Sequence, residues 1–355
     1  MNEIRPGEFP LQFGLFDWID WEAQRPYNNI FEERLQMLEY ADREGFFCYH
    51  LAGPHVTPLG LAPSPGLFLT AAAQRSHRIR LGPLLHLQPF YSPLRLVLEI
   101  CMLDHLTRGR LELGVGQDIL TMDVEKFLIK AGQTWDIFRE MLDLLIAAFT
   151  NETLHFEGKY YSFKGIRLWL HPFQQPYPPL WYASTNVNAV PWMAQQGINT
   201  IHGLKPTSAA GVYFDLYQRH WQEHRDEQNR LNSHVNAPKL GLARHVYVAH
   251  TNAQAERECR AAFASWADNM HFSGAQPGSH EQHLTAKFDE FLATGVIVAG
   301  SPETVGQRVR RQAEEAGINY FCCIFAFGNL SHAQVMASMH LFVEEVMPAF
   351  HPHSR

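Results

Sequence analysis

HLTRGRLELGVGQD, residues 105–118, opens as a turn, continues as an apolar alternation and closes on Gly-x-Gly. Leu111, Leu113 and Val115 alternate with Glu112, Gly114 and Gly116, the period of two that marks a strand. Two glycines at a strand end mean that something comes close to the backbone. Three occupants stay open: a nucleotide phosphate, a flavin, or a neighbouring chain segment. The dinucleotide fingerprint needs a third glycine and a helix that begins at once. Ile119 stands in the third position, and DILTMDVEKF (118–127) is loop-like.

Outward from this stretch, short β-like runs alternate with helical ones. The strand candidates cover 11–16, 46–52, 79–87, 111–116, 178–185, 198–204, 240–249 and 319–327. Amphipathic stretches lie between them. NIFEERLQMLEYADREG (29–45) carries Phe31, Leu35 and Leu38 on one face and a stop at Gly45. SPLRLVLEICMLDHLT (92–107) begins with a Ser-Pro cap pair. SPETVGQRVRRQAEEAG (301–317) has Ser301 as cap, Val305, Val309 and Ala313 as the buried stripe and Gly317 as terminator. LHFEGKYYSF (154–163) reads as a hairpin turning near Glu157–Gly158.

Eight such strands alternating with helices in a chain of 355 residues predict an α/β fold, a (β/α)8 TIM barrel with insertions. A doubly wound sheet is the alternative. It would place a phosphate loop after the first strand, and GLFDWIDW (14–21) has none. In a barrel the apolar set of 111–116 faces the helices. Glu112, Gly114 and Gly116 then face the axis, with the glycines nearest the C-terminal mouth. No linker divides the chain, so residues 1–355 are expected to form a single domain. The segment 268–298 is punctuated by Gly and Pro and is expected either as a lid over the mouth or as an inert insertion.

Composition narrows the function classes. The net charge is −7 without a basic block, which argues against nucleic acid as a partner. No run approaches the roughly 18 apolar residues of a membrane span. MNEIRPGEFPLQFGLF does not read as a signal peptide. The five cysteines, at 48, 101, 259, 322 and 323, form no C-x-x-C pair and fit a reducing, cytoplasmic setting. Twenty histidines are many, but HEQH (280–283) lacks the i, i+4 spacing of a helical zinc site, so no metal is expected.

Several segments together resemble the bacterial luciferase-like flavin monooxygenases. The resemblance runs from FGLF (13–16) to FVEEVMPAF (342–350). It is carried by the stretch 78–117 with its DHLTRGR turn, by FEGKYYSF followed by LHPFQQPYPPLWYAST, and by GSPETVGQRVRRQAEEAGINYF. The resemblance implies a luciferase-like barrel that binds reduced FMN, or in sister groups a 5-deazaflavin, at the C-terminal mouth. It implies a non-prolyl cis peptide beside the flavin ring, here at Leu84–Leu85. Gly114, Gly116 and Gln117 match the stretch that lines the flavin, although luciferase has cysteine and arginine where Gly116 and Gln117 stand. Ser184, Thr185 and Asn188 match the region that holds the FMN phosphate, where small hydroxyls and helix N–H groups suit an anion.

One departure concerns catalysis. Many members end strand two with Ala-Glu-His-His, whereas this chain reads Ala52-Gly53-Pro54-His55. Proline neither gives nor takes a proton. His55, or His86 on strand three, is the candidate for acid–base work. Trp18 and Trp181 are candidates for the substrate pocket, in a mouth rich in apolar and aromatic residues. The expected activity is an FMN-dependent monooxygenase acting with O2 on a small, largely apolar organic molecule. Its reduced flavin would come from a separate reductase, and the chain would form a homodimer. The alternatives are a deazaflavin-dependent oxidoreductase and a non-catalytic flavin-binding subunit.

Overall fold

The computed structural model describes residues 11–55, 57–117, 132–272 and 287–350. In chain order the first half comprises β1 (Gln12–Asp17), α1 (Tyr27–Arg43), β2 (Cys48–Leu51), α2 (Pro65–Arg75), β3 (Arg80–Pro83), β4 (His86–Leu87), α3 (Pro93–Leu106), β5 (Leu113–Gly116) and α4 (Thr134–Thr150). A hairpin of β6 (Thr153–Glu157) and β7 (Ser162–Arg167) follows, then β8 (Leu180–Trp181), α5 (Val190–Gln196), β9 (Thr200–Gly203) and α6 (Thr207–His224). The chain continues with β10 (Leu240–Val248), α7 (Asn252–Phe272), α8 (Phe288–Ala293), β11 (Ile297–Gly300), α9 (Pro302–Ala316), β12 (Tyr320–Ile324) and α10 (His332–Leu341).

Parallel ladders join β9 to β10, β10 to β12, β12 to β1, β1 to β2 and β2 to β3. A second set joins β4 to β5 and β5 to β8. Two isolated parallel bridges, Leu81 with Leu111 and Trp181 with Asn199, connect the two sets. Followed strand to strand, the pairing returns to its start, which is the barrel expected from the alternation. Seven of the eight predicted strands each coincide with one of these staves, and 79–87 spans two, β3 and β4.

Short apolar β11 pairs with the far half of β10, Val246 opposite Val298. It falls partly in the stretch read as irregular, because an isolated Ile-Val-Ala-Gly run carries no usable period. Of the predicted lid, residues 268–272 continue α7 and residues 288–293 form α8. Residues 273–286 lie outside the described ones.

Two helix faces are rotated from expectation. On α9, Val305 and Val309 are buried as predicted, but Gln312 and Ala316 complete the buried stripe and Ala313 is only half-buried. On α1 the buried stripe is Ile30, Arg34, Met37, Leu38 and Ala41, while Phe31 and Leu35 are half-buried. In both cases a buried polar side chain lies on the inner face, and hydrophobicity alone cannot show that. Ser301 caps α9 and Gly317, with φ 62°, ends it in the left-handed conformation, as read from the sequence. Ser92 precedes α3 but its side chain accepts no cap hydrogen bond.

Candidate active site

The site is built from the residues that follow the strand C-termini, with a polar layer beneath them. Glu112 faces the barrel axis, as the alternation predicts. Its Oε1 accepts from Arg80 Nε of β3 and its Oε2 from Trp181 Nε1 of β8. Arg80 also donates to the carbonyls of Gly109 and Leu111 and, at 2.8 Å, to Gln174 Oε1. Burial pushes the Glu112 carboxyl up and the Arg80 charge holds it down. Trp181 is fully buried, its ring against His50 of β2 and Tyr320 of β12 at centroid distances of 4.7 and 5.7 Å. Side chains from opposite staves meet here, so this is the packed interior of the barrel. The structure places Trp181 in that interior and does not bring it together with Trp18.

Above this layer, β3 runs into a cis peptide bond between Leu84 and Leu85, the position the resemblance implied. Both side chains are buried, and Leu84 N donates to Leu51 O at 2.7 Å. The adjacent glycines answer to this segment. A Cβ on Gly114 would lie 2.0 Å from the Pro83 carbonyl oxygen, and one on Gly116 would lie 2.3 Å from Leu85 Cδ1. What comes close to the Gly-x-Gly backbone is therefore the neighbouring strand. The glycines let β5 nest against the β3–β4 segment rather than leaving a gap over it.

The residues after the cis bond form one side of the mouth. His86 is 1% exposed, with its ring edge-on to Tyr91 at 5.4 Å. Burial lowers its pKa to about 4, so the imidazole is neutral near pH 7. Its Nδ1 has no hydrogen-bond partner among the described residues. Gln88 is wholly buried, and neither its Oε1 nor its Nε2 has a partner among them. The indole Nε1 of Trp18, past β1, is likewise buried and unpartnered, with its ring against Phe16 at 5.1 Å. His55 is half-buried and meets Phe90 edge-on at 5.4 Å. Gly53 lies beside the Leu85 carbonyl.

Across the mouth, Gln117 Oε1 accepts from Thr134 Oγ1 at 3.1 Å, which ties the end of β5 to α4. Ser184, Thr185 and Asn188 gather on the turn between β8 and α5. Ser184 Oγ accepts from Asn186 N at 3.0 Å, and Asn186 Oδ1 accepts from Asn188 N at 3.0 Å. Thr185 and Asn188 are exposed there. The capping residue is Asn186, which the sequence reading passed over.

Sequence reasoning also missed a buried charge cluster below Trp18. Asp17 accepts from Tyr49 Oη at 2.7 Å and pairs with Arg34 of α1 at 3.1 Å. Asp20 lies 3.5 Å from the same guanidinium and accepts from Gly328 N at 2.7 Å. Burial raises the Asp20 pKa to about 7 despite Arg34. The signal was available in FDWID (16–20), two acids directly after a strand, but its partner lies on another element.

The sequence model of the family described as luciferase-like monooxygenase matches residues 11–320. This chain belongs to the luciferase-like monooxygenase family. It is 35% identical over 333 residues to the uncharacterized protein y4wF of Sinorhizobium fredii, with 93% of this chain and 94% of that protein covered. It is 23% identical to the oxygenase component of the flavin-dependent trigonelline monooxygenase of Acinetobacter baylyi, with 96% of both covered. The fold matches that of the oxygenating constituent of 3,6-diketocamphane monooxygenase from Pseudomonas putida, solved with FMN, at TM-score 0.78 and 19% identity over 96% of this chain and 98% of that one. It also matches a coenzyme F420-dependent tetrahydromethanopterin reductase from Methanopyrus kandleri at TM-score 0.71 and 15% identity, over 96% and 99% of the two chains. The same fold thus occurs in a protein solved with FMN and in a coenzyme F420-dependent reductase.

Proposed function

We infer that this chain is the oxygenase of a flavin-dependent monooxygenase. Reduced FMN, delivered by a separate reductase, supplies the electrons that activate O2 toward a small, largely apolar organic substrate. The observation that carries this reading is the set of buried polar atoms without partners among the described residues on His86 and Gln88, which follow the Leu84–Leu85 segment, and on Trp18, past β1. Each such atom left without a partner costs about 1–3 kcal/mol, and four of them at one barrel mouth point to a ligand. An isoalloxazine edge offers both carbonyl acceptors and an N–H donor. The paired donor and acceptor of the Gln88 amide fit it.

In this reading Leu84 and Leu85 form the wall against the ring, with Gly114 and Gly116 setting that wall's position. The hydroxyls of Ser184 and Thr185, the Asn188 side chain and the Gln117 amide receive the phosphate, with no arginine at 117 to share its charge. Phe16, Trp18 and Phe90 exclude water. His86, enclosed and neutral, orients by hydrogen bonding. His55, half-buried, exchanges protons with solvent and serves as the acid–base group.

Assembly as a homodimer is supported by an apolar patch on adjacent helices. Leu67 of α2 and Leu98, Met102 and Leu106 of α3 are all exposed, the last three at successive turns. All five cysteines are buried free thiols, in keeping with a reducing cytoplasm. Among the described residues no helix is long and apolar enough to cross a membrane.

The Gly53-Pro54 pair favours a second reading, a subunit that binds flavin without turning it over. Anaerobic titration of the purified protein with reduced FMN, and separately with reduced coenzyme F420, distinguishes these readings when oxygen is then admitted with candidate apolar substrates. Saturable FMN binding and substrate-dependent oxygen uptake are expected. Binding without turnover in any combination would move the assignment to the subunit. Binding of F420 alone would move it to the deazaflavin enzymes.

A further inference from the structure

HWQEH, residues 220–224, occupies the last turn of α6. It has the i, i+4 histidine spacing that HEQH lacks. On a helix this spacing puts both rings on one face. The structure brings Glu223 to the same place. One ligand atom from each of His220, Glu223 and His224 lies within 4.8 Å of the others, and among the described residues no other trio of such side chains does so. His220 Nδ1 is 3.6 Å from Glu223 Oε2. His224 Nδ1 is 2.6 Å from Glu227 Oε1, three residues further on.

We propose that His220, Glu223 and His224 bind a divalent transition-metal ion of the zinc, nickel or copper class. Two imidazoles and one carboxylate suit these borderline acceptors and not magnesium or calcium, which want oxygen donors alone. Glu227 accepting from one ring nitrogen of His224 fixes its tautomer and leaves the other nitrogen with the lone pair a metal needs. The scaffold is rigid: α6 buries Tyr213, Phe214, Tyr217 and Trp221, and the two histidines continue the stripe of Tyr213 and Tyr217 at the helix end. Three protein donors leave a fourth position for water. Both histidines are half-buried and Glu223 is exposed, so the ion is reached from solvent.

The site lies at the C-terminal end of α6, away from the mouth, and has no part in the oxidation. It fastens the last helical turn ahead of residues 225–232. That segment delivers Asn232, whose side chain bonds both the N–H and the carbonyl of Leu180 on β8 at 2.9 and 3.0 Å. The ion is thus a clamp on the closed end of the barrel.

The test is calorimetric titration of the chelator-treated full-length protein with zinc chloride, alongside thermal melts with and without zinc. One zinc per chain is expected, with affinity reduced at least about tenfold in His224→Ala and abolished in His220→Ala/His224→Ala. The midpoint of unfolding should rise with zinc in the unsubstituted protein and stay fixed in the double variant. Glu223→Gln, an exposed change that leaves both rings, should weaken zinc without altering the metal-free melt. Equal zinc uptake by the double variant, with a metal-free melt like that of the unsubstituted protein, would overturn the proposal. So would failure of the unsubstituted protein to take up zinc.

Discussion

At the closed end of the barrel, Glu112 is 3% exposed and both its carboxylate oxygens are bonded, to Arg80 and to Trp181. At the open end, Gln88 is buried more completely and neither of its amide atoms is bonded to any of the described residues. The two side chains lie at either end of one set of staves. One belongs to a finished network, in which burial and hydrogen bonding balance. The other is left unfinished by the described residues, and in the proposed function the flavin completes it. Buried polar groups are tolerated in both places, but for stability at the first and for binding at the second.

The contrast breaks if the two ends respond alike to mutation. Glu112→Ala leaves the Arg80 guanidinium, 23% exposed, without its carboxylate. It should lower stability by about 3 kcal/mol in urea unfolding. The flavin affinity of the protein that stays folded should be unchanged. A loss below about 0.5 kcal/mol would mean that the network is ornamental.

His245 sharpens the comparison. It is fully buried among Phe263, Trp266 and Phe327, and neither ring nitrogen has a partner among the described residues. Burial lowers its pKa to about 3. The unfolded chain therefore takes up a proton below about pH 6.5 that the folded chain refuses, and stability falls as pH drops. His50, with a pKa near 3, and His86 and His202, near 4, act in the same direction. His245→Phe should recover about 2 kcal/mol at pH 5 relative to pH 7, seen as a flatter plot of melting temperature against pH. An unchanged slope would show that this ring is not held neutral.

Gln88→Leu should have the smallest effect on stability and the opposite sign. Removing an unpaired buried amide should stabilise the fold by about 1 kcal/mol and weaken reduced FMN binding. Such a trade is typical of functional positions. A destabilised variant with normal flavin affinity would place Gln88 with the packing residues.

The staves were legible in the sequence because each is a short apolar run bounded by turn residues, and the inward aim of Glu112 followed from period two alone. The cis bond at Leu84–Leu85 came from the family resemblance, since no local pattern distinguishes those leucines from any other apolar pair. The role of the glycines was not legible. Their spacing is the same whether a ligand or a strand approaches, and only the Pro83 carbonyl, 2.0 Å from a would-be Cβ, decides for the strand. Trp181 read as a pocket residue because it is one of several aromatic residues near the strand ends. Its indole is instead anchored by a carboxylate 69 positions earlier in the chain. Arg34 and Gln312 were hidden for the same reason: a polar residue on a helix's inner face is explained by its distant partner.

The ring of strands is not equally sewn all round. β10 and β12 are joined by five paired residues, whereas β3 meets β5, and β8 meets β9, through one bridge each. The panel of β4, β5 and β8 therefore hangs between two weak seams. It carries the Gly-x-Gly strand and adjoins the cis segment. A barrel of this build should loosen first along those two seams: amide exchange at Leu81, Glu112, Tyr182 and Asn199 should run ahead of that in β10 and β12.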